Sequence, residues 1–105
     1  MSDFPEYEDD GQVLEDSDQK LEKPPLYKVL MHNDDFTTQE FVIFVLNKVF
    51  MRSEMESFTI MLKVHNEGVG VAGIYPKAIA EMKCEKAMNM ARAQEFPFLC
   101  TVEVE

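Results

Sequence analysis

A chain of 105 residues, 46% of them hydrophobic, is long enough to bury one core and too short for two full-sized domains. Its net charge of −10 is unevenly spread, with nine acids against two bases up to Lys23 and eleven against eight from Pro24 onward. Such a balance excludes nucleic acid as a partner, because phosphate binding needs a basic stripe, and it leaves cationic groups as suitable ligands.

Residues 1–23 are highly charged and aperiodic, with scattered apolar residues, a composition that cannot offset the entropy of ordering. They are expected to form an acidic disordered arm. The chain opens on acids rather than on lysines followed by an apolar run, and no apolar stretch approaches ~18 residues, so neither a signal peptide nor a membrane span is expected. Pro24-Pro25 stiffens the chain and marks the start of a core domain, residues 24–105.

Leu26 to His32 alternates as a strand, with Tyr27, Val29 and Met31 on one face. It ends at Asn33-Asp34-Asp35, whose side chains favour turns. Thr37-Thr38-Gln39-Glu40 then reads as a capping box with Thr37 at the N-cap and Glu40 reaching back, opening a helix. Phe41, Val42, Val45, Leu46, Val49 and Phe50 follow helical spacing, and Phe44 widens the stripe. Lys48 and Arg52 are expected in its last turns, where cations suit the dipole.

Ser53-Glu54-Met55-Glu56 is a second capping box, so two helices meet at a corner. The second helix is expected to bury Met55, Phe58, Met61, Leu62 and Val64, with His65 at the edge of the stripe, and to stop at Gly68 in the left-handed C′ position. Val69 to Tyr75 reads as a strand in which Gly70 and Gly73 signal a bulge or close backbone approach. Pro76 fits N1 of a third helix carrying Ala80, Cys84, Ala87, Met88 and Ala91 on one stripe. Phe98 to Val104 alternates as a last strand.

The order β-α-α-β-α-β predicts an α+β fold, a two-layer sandwich of a three-stranded antiparallel sheet and three helices. Cys84 and Cys100 have no CxxC spacing and lie inside apolar patterns, which predicts reduced core thiols, a cytoplasmic setting and no zinc.

The residues able to carry chemistry are Asn33, Asp34, Asp35 and Thr37 at the strand-to-helix junction and His65 near the end of the second helix. An antiparallel corner brings His65 beside Asp35, with Val42, Met61 and Val64 as the apolar surroundings. A carboxylate, an amide oxygen and a neutral imidazole are acceptors, and together they suit a primary ammonium attached to a bulky side chain. The same residues also fit a purely structural role, an Asx-turn and cap beside a half-buried histidine. A metallohydrolase is the third reading, but there is no His-x-x-x-His or Glu-x-x-His spacing and no nucleophile placed near a base. No catalytic residue, metal or cofactor is expected.

From Pro24 onward the chain resembles the ClpS family, adaptors of the bacterial Clp protease. The resemblance rests on Lys23-Pro24-Pro25, Tyr27-Lys28-Val29, Asn33-Asp34-Asp35-Phe36-Thr37, Glu40-Phe41-Val42, Met61-Leu62 with Val64-His65, Ala80-Glu81-Met82-Lys83 and Leu99-Cys100-Thr101. It implies a bacterial, cytoplasmic binding protein rather than an enzyme. By this resemblance Asn33, Asp34, Asp35 and His65 hold the α-amino group of an N-terminal Leu, Phe, Tyr or Trp, the N-degron, on a substrate protein. Its side chain enters a pocket of Thr37, Gln39, Val42, Met61, Val64 and Phe98. Glu81 and Lys83 would contact the N-terminal domain of a ClpA-type Hsp100 unfoldase, with the N-terminal arm assisting transfer, and a monomer is expected. An interaction module of the same fold with altered or lost N-degron specificity is the alternative. Three positions depart from the family pattern: Gln39 stands where methionine is common, Phe98 where leucine is, and Ala78 where glutamate often is. The first two imply an altered ranking among first residues, with Trp or Leu suffering most.

Overall fold

The computed structural model describes residues 23–105, so the acidic arm expected before Pro24 lies outside the described residues except for Lys23. The elements run β1 (Leu26–His32), α1 (Gln39–Lys48), α2 (Glu54–Glu67), β2 (Val69–Pro76), α3 (Lys77–Ala93) and β3 (Leu99–Val104). β1 is the central strand of an antiparallel sheet in the order β2-β1-β3. The expected two-layer α+β sandwich is the observed fold.

Alternation decides which face of β1 is covered. Val29 and Met31 are fully buried under the helices, while Lys28, Leu30 and His32 take the other face. There His32 Nε2 lies 2.7 Å from Thr101 Oγ1. α3 brings Ala80, Cys84, Ala87 and Ala91 onto the sheet, and such small side chains allow a close approach. α1 fills the core with Phe41, Val42, Val45 and Leu46, continued by Val49 and Phe50. Cys84 and Cys100 are both free and buried, and burial pushes both thiols up, against reactivity.

The glycines of β2 mark an irregularity, as expected. Register passes from Val29↔Gly73 to Leu30↔Val71, which leaves Ala72 as the extra residue of a β-bulge. Arg52 satisfies the bulge, its Nε donating to the Ala72 carbonyl at 2.8 Å. That task places Arg52 beyond α1, which ends at Lys48 and is capped at Val49, rather than in its last turn. Lys83 ties the same region from the other side: its Nζ donates to the Val49 carbonyl at 2.7 Å and sits 5.3 Å from the Tyr75 ring centroid.

α2 shows the second capping box in full. Ser53 Oγ accepts from the Glu56 N–H, and the Glu56 carboxylate accepts from the Ser53 N–H. Gly68 closes the helix at φ 91°, its N–H bonded to the Val64 carbonyl. The buried stripe differs from the expected one. Ser57, Met61 and Val64 face inward, while Met55 and Phe58 are 79% and 51% exposed and Leu62 also faces outward. Ser57 can be buried because Asn47 Nδ2 donates to its Oγ at 2.7 Å, a side-chain partner that helical spacing does not reveal. Phe44, expected to widen the stripe of α1, is likewise exposed. Pro76 takes the N-cap position of α3 instead of N1, because it still pairs with Leu26 in the sheet.

Candidate functional site

The hollow beside the first helix is assembled by two backbone connections. β1 pairs His32 with Val69, and the next residue, Asn33, donates its N–H to the Gly68 carbonyl at 2.9 Å. The end of β1 is thereby joined to the end of α2, and the Asn33–Thr37 loop is brought alongside His65. An open hollow of about 430 Å³ results, lined by residues 33–40 together with Val42, Met61, Val64 and His65. That volume lies within the range of small-ligand sites.

Its floor and its rim differ in chemistry. Val42, Met61 and Val64 are buried hydrophobic residues, the first on the inner side of α1 and the others one turn apart on α2. Asn33, Asp35 and His65 line the hollow and remain exposed to solvent. Among the described residues, no hydrogen bond or ion pair engages the Asp35 carboxylate. Gln39 occupies the first position of α1 at the rim, one helical turn before Val42.

Asp34 is placed differently from its expected role at an amino group. Its Oδ1 accepts from the N–H groups of Phe36 at 2.8 Å and Thr37 at 2.7 Å, and its Oδ2 accepts from the Thr37 hydroxyl at 2.7 Å. Both oxygens are engaged inside the loop, so Asp34 shapes the site, and Asp35 is the carboxylate left unengaged at the hollow among the described residues. The same bonds move the helix start by one residue. With its hydroxyl given to Asp34, Thr37 is not the N-cap; Thr38 is, its Oγ accepting from the Phe41 N–H at 3.1 Å.

These contacts set a pH dependence. Burial raises the pKa of Asp34, but the bonds from the Thr37 N–H, the Thr37 hydroxyl and the Phe36 N–H outweigh it and hold the carboxyl below its ordinary 3.8. A folded-state pKa below the unfolded one means that the loop is stabilised above the ordinary carboxylate range and loses that stabilisation as pH falls through the lowered value. Amide resonances of Phe36 and Thr37 are therefore expected to hold their native positions through mild acid and to move only below that range. Asp34→Ala should shift them at neutral pH.

Phe98 is the one expected pocket residue that the fold takes elsewhere. It is 5% exposed and packs edge-on against Phe41, with ring centroids 5.9 Å apart, and does not line the hollow. The turn after α3 falls at Gln94-Glu95, and the packing on Phe41 holds the Phe98 ring in the core. The α3 residues are split. Glu81 is exposed, 3.8 Å from Lys77, whereas the half-buried Lys83 ammonium is committed to Val49 and Tyr75.

Among the described residues, no group of three or more His, Cys, Asp or Glu side chains could hold a metal ion, and no helix is long and apolar enough to cross a membrane. Phe36, in the sequence only a member of the Asn33–Thr37 motif, also lines the hollow and is 74% exposed.

Comparison with known proteins adds a family to this geometry. Residues 22–101 match the family model described as ATP-dependent Clp protease adaptor protein ClpS. A relative from Desulfatibacillum aliphaticivorans, named ATP-dependent Clp protease adapter protein ClpS, is 52% identical over 99 residues, covering 94% of this chain and 95% of the relative. One of the same name from Myxococcus xanthus is 48% identical, covering 94% of each. Among solved structures, Agrobacterium tumefaciens ClpS2 bound to L-phenylalaninamide is similar with a TM-score of 0.76 and 38% identity, over 79% of this chain and all of that one. With the fold, the motif around Asn33 and relatives of this length in agreement, the chain belongs to the ClpS family of Clp protease adaptors.

Proposed function

We propose that this protein is a bacterial, cytoplasmic adaptor, not an enzyme, that holds the free N-terminal residue of substrate proteins and delivers them to a ClpA-type AAA+ unfoldase of the Clp protease. The observation that carries the reading is the pairing of acceptors at Asn33, Asp35 and His65 with an apolar floor at Val42, Met61 and Val64 in one hollow. Acceptors suit an ammonium, and the floor suits the side chain on the same carbon, which is the chemistry of an N-terminal Leu, Phe, Tyr or Trp. Agrobacterium ClpS2 holding L-phenylalaninamide, a ligand with both features, supports it.

Residues 24–105 would form the recognition domain, and the acidic segment 1–23 would assist transfer. On α3 the exposed Glu81 carries the contact with the unfoldase N-terminal domain, while Lys83 serves mainly to hold the Val49 turn. Thr37 shapes the rim through Asp34, and Gln39 places an amide there. Leaving that amide unpaired on binding costs roughly 1–3 kcal/mol, which would alter the ranking of first residues.

Fluorescence anisotropy with a Phe-initiated peptide tests the reading. Saturable binding that is unaffected by zinc or EDTA and lost when the peptide is N-acetylated is expected. Equal binding of the acetylated peptide would exclude an ammonium clamp, and dependence on zinc would revive a metal site.

A further inference from the structure

We propose that Phe36 forms a subsite for the second residue of a bound peptide and favours an apolar side chain there. The inference rests on the reading that the hollow holds the first residue. An exposed aromatic ring is by itself ordinary. This one differs because it lines a hollow and because its loop is fixed, the Phe36 and Thr37 N–H groups both being pinned to Asp34. A ring held on a fixed loop loses little backbone freedom when a ligand covers it.

Its position along the chain matches that of a second residue. The first residue sends its ammonium toward Asn33, Asp35 and His65 and its side chain toward Val42, Met61 and Val64. The remaining direction from its Cα is its carbonyl, which leads the peptide out across the mouth. Phe36 is the chain neighbour of Asp35 and lines the same hollow, so it borders the clamp on the path open to the next residue of the peptide. A leucine, methionine or aromatic side chain at that point covers the ring, whereas glycine leaves it wet.

The test uses the full chain, wild type and Phe36→Ala, with three ligands: peptides beginning Phe-Leu and Phe-Gly and otherwise identical, and L-phenylalaninamide, which has no second residue. The wild type should bind the Phe-Leu peptide roughly two- to tenfold more tightly than the Phe-Gly peptide. In Phe36→Ala that ratio should fall close to one, and Phe36→Leu should keep part of it. Equal affinities in the wild type, or an unchanged ratio in Phe36→Ala, would overturn the subsite. Failure of the wild type to bind phenylalaninamide or either peptide would instead remove the first-residue reading, and the subsite with it.

Discussion

Exchanging Asp35 for alanine is expected to weaken binding of a Phe-initiated peptide by roughly ten- to a hundredfold, the loss of one charge-assisted hydrogen bond of about 1.5–3 kcal/mol. Of the two adjacent carboxylates, only Asp35 is left to do this, since both oxygens of Asp34 are spent on Phe36 and Thr37. The two substitutions should therefore differ in kind. Asp35→Ala removes a partner of the ammonium and leaves the loop intact, so amide spectra of Phe36 and Thr37 should stay native while affinity falls. Asp34→Ala frees the loop and should disturb those amides first, with affinity following because Asp35 and Phe36 are no longer held in place.

The Asp35 effect should also depend on salt. The residue is exposed in the free protein, so part of its attraction for an ammonium acts through solvent and is screened within a Debye length of about 8 Å at physiological ionic strength. The affinity gap between wild type and Asp35→Ala should accordingly narrow as salt is raised. Asn33→Ala and His65→Ala remove an amide oxygen and a ring nitrogen rather than a carboxylate and should cost less, nearer 0.5–1.5 kcal/mol each. Titration by anisotropy across the set decides the order, and an Asp35→Ala variant that binds as well as wild type would contradict the clamp.

What the sequence disclosed and what it hid follow one physical division. Features fixed within a few residues were legible: the alternation of β1, the Ser53–Glu56 box and the Gly68 stop each depend on neighbours in the chain, and each is present. Features that depend on a choice between competing local bonds were displaced by a residue. Thr37 and Thr38 are equally good caps in isolation, and the outcome is set by Asp34 capturing the Thr37 hydroxyl. Features that depend on a distant partner were hidden. Ser57 stands outside the apolar stripe and is buried because Asn47 supplies its hydrogen bond, and Phe98, a pocket residue by resemblance, is turned to the core by its packing on Phe41.

The site divides in the same way. The polar wall lies within a few consecutive residues and was visible as a motif. The floor depends on the corner between α1 and α2, which the two capping boxes signal, and on the Asn33–Gly68 bond, which no local pattern does. Phe36 escaped notice because exposure is a property of the folded surface.

Gly70→Ala should show how closely the floor depends on the sheet. A Cβ at position 70 would stand 2.8 Å from Val64 Cγ2, closer than side-chain carbons approach, and 3.6 Å from the Ile60 carbonyl oxygen. Val64 is β-branched and nearly fully buried, so it cannot swing away cheaply. Strand and helix must part, or the valine must push toward the hollow; either response costs about 1–3 kcal/mol of overpacking. For a domain of this size that is a fall of several degrees in Tm for each kcal/mol, measurable by thermal denaturation. If the valine moves, the hollow loses depth, and peptides beginning with Trp or Phe should lose more affinity than one beginning with Leu. Adding Val64→Ala removes the clashing methyl and separates the two responses. Stability recovered in Gly70→Ala/Val64→Ala relative to the two single variants measures the clash directly, as a coupling between neighbours. Additive losses would mean instead that the alanine is accommodated by the strand, and that Val64 owes its place in the floor to α2 alone.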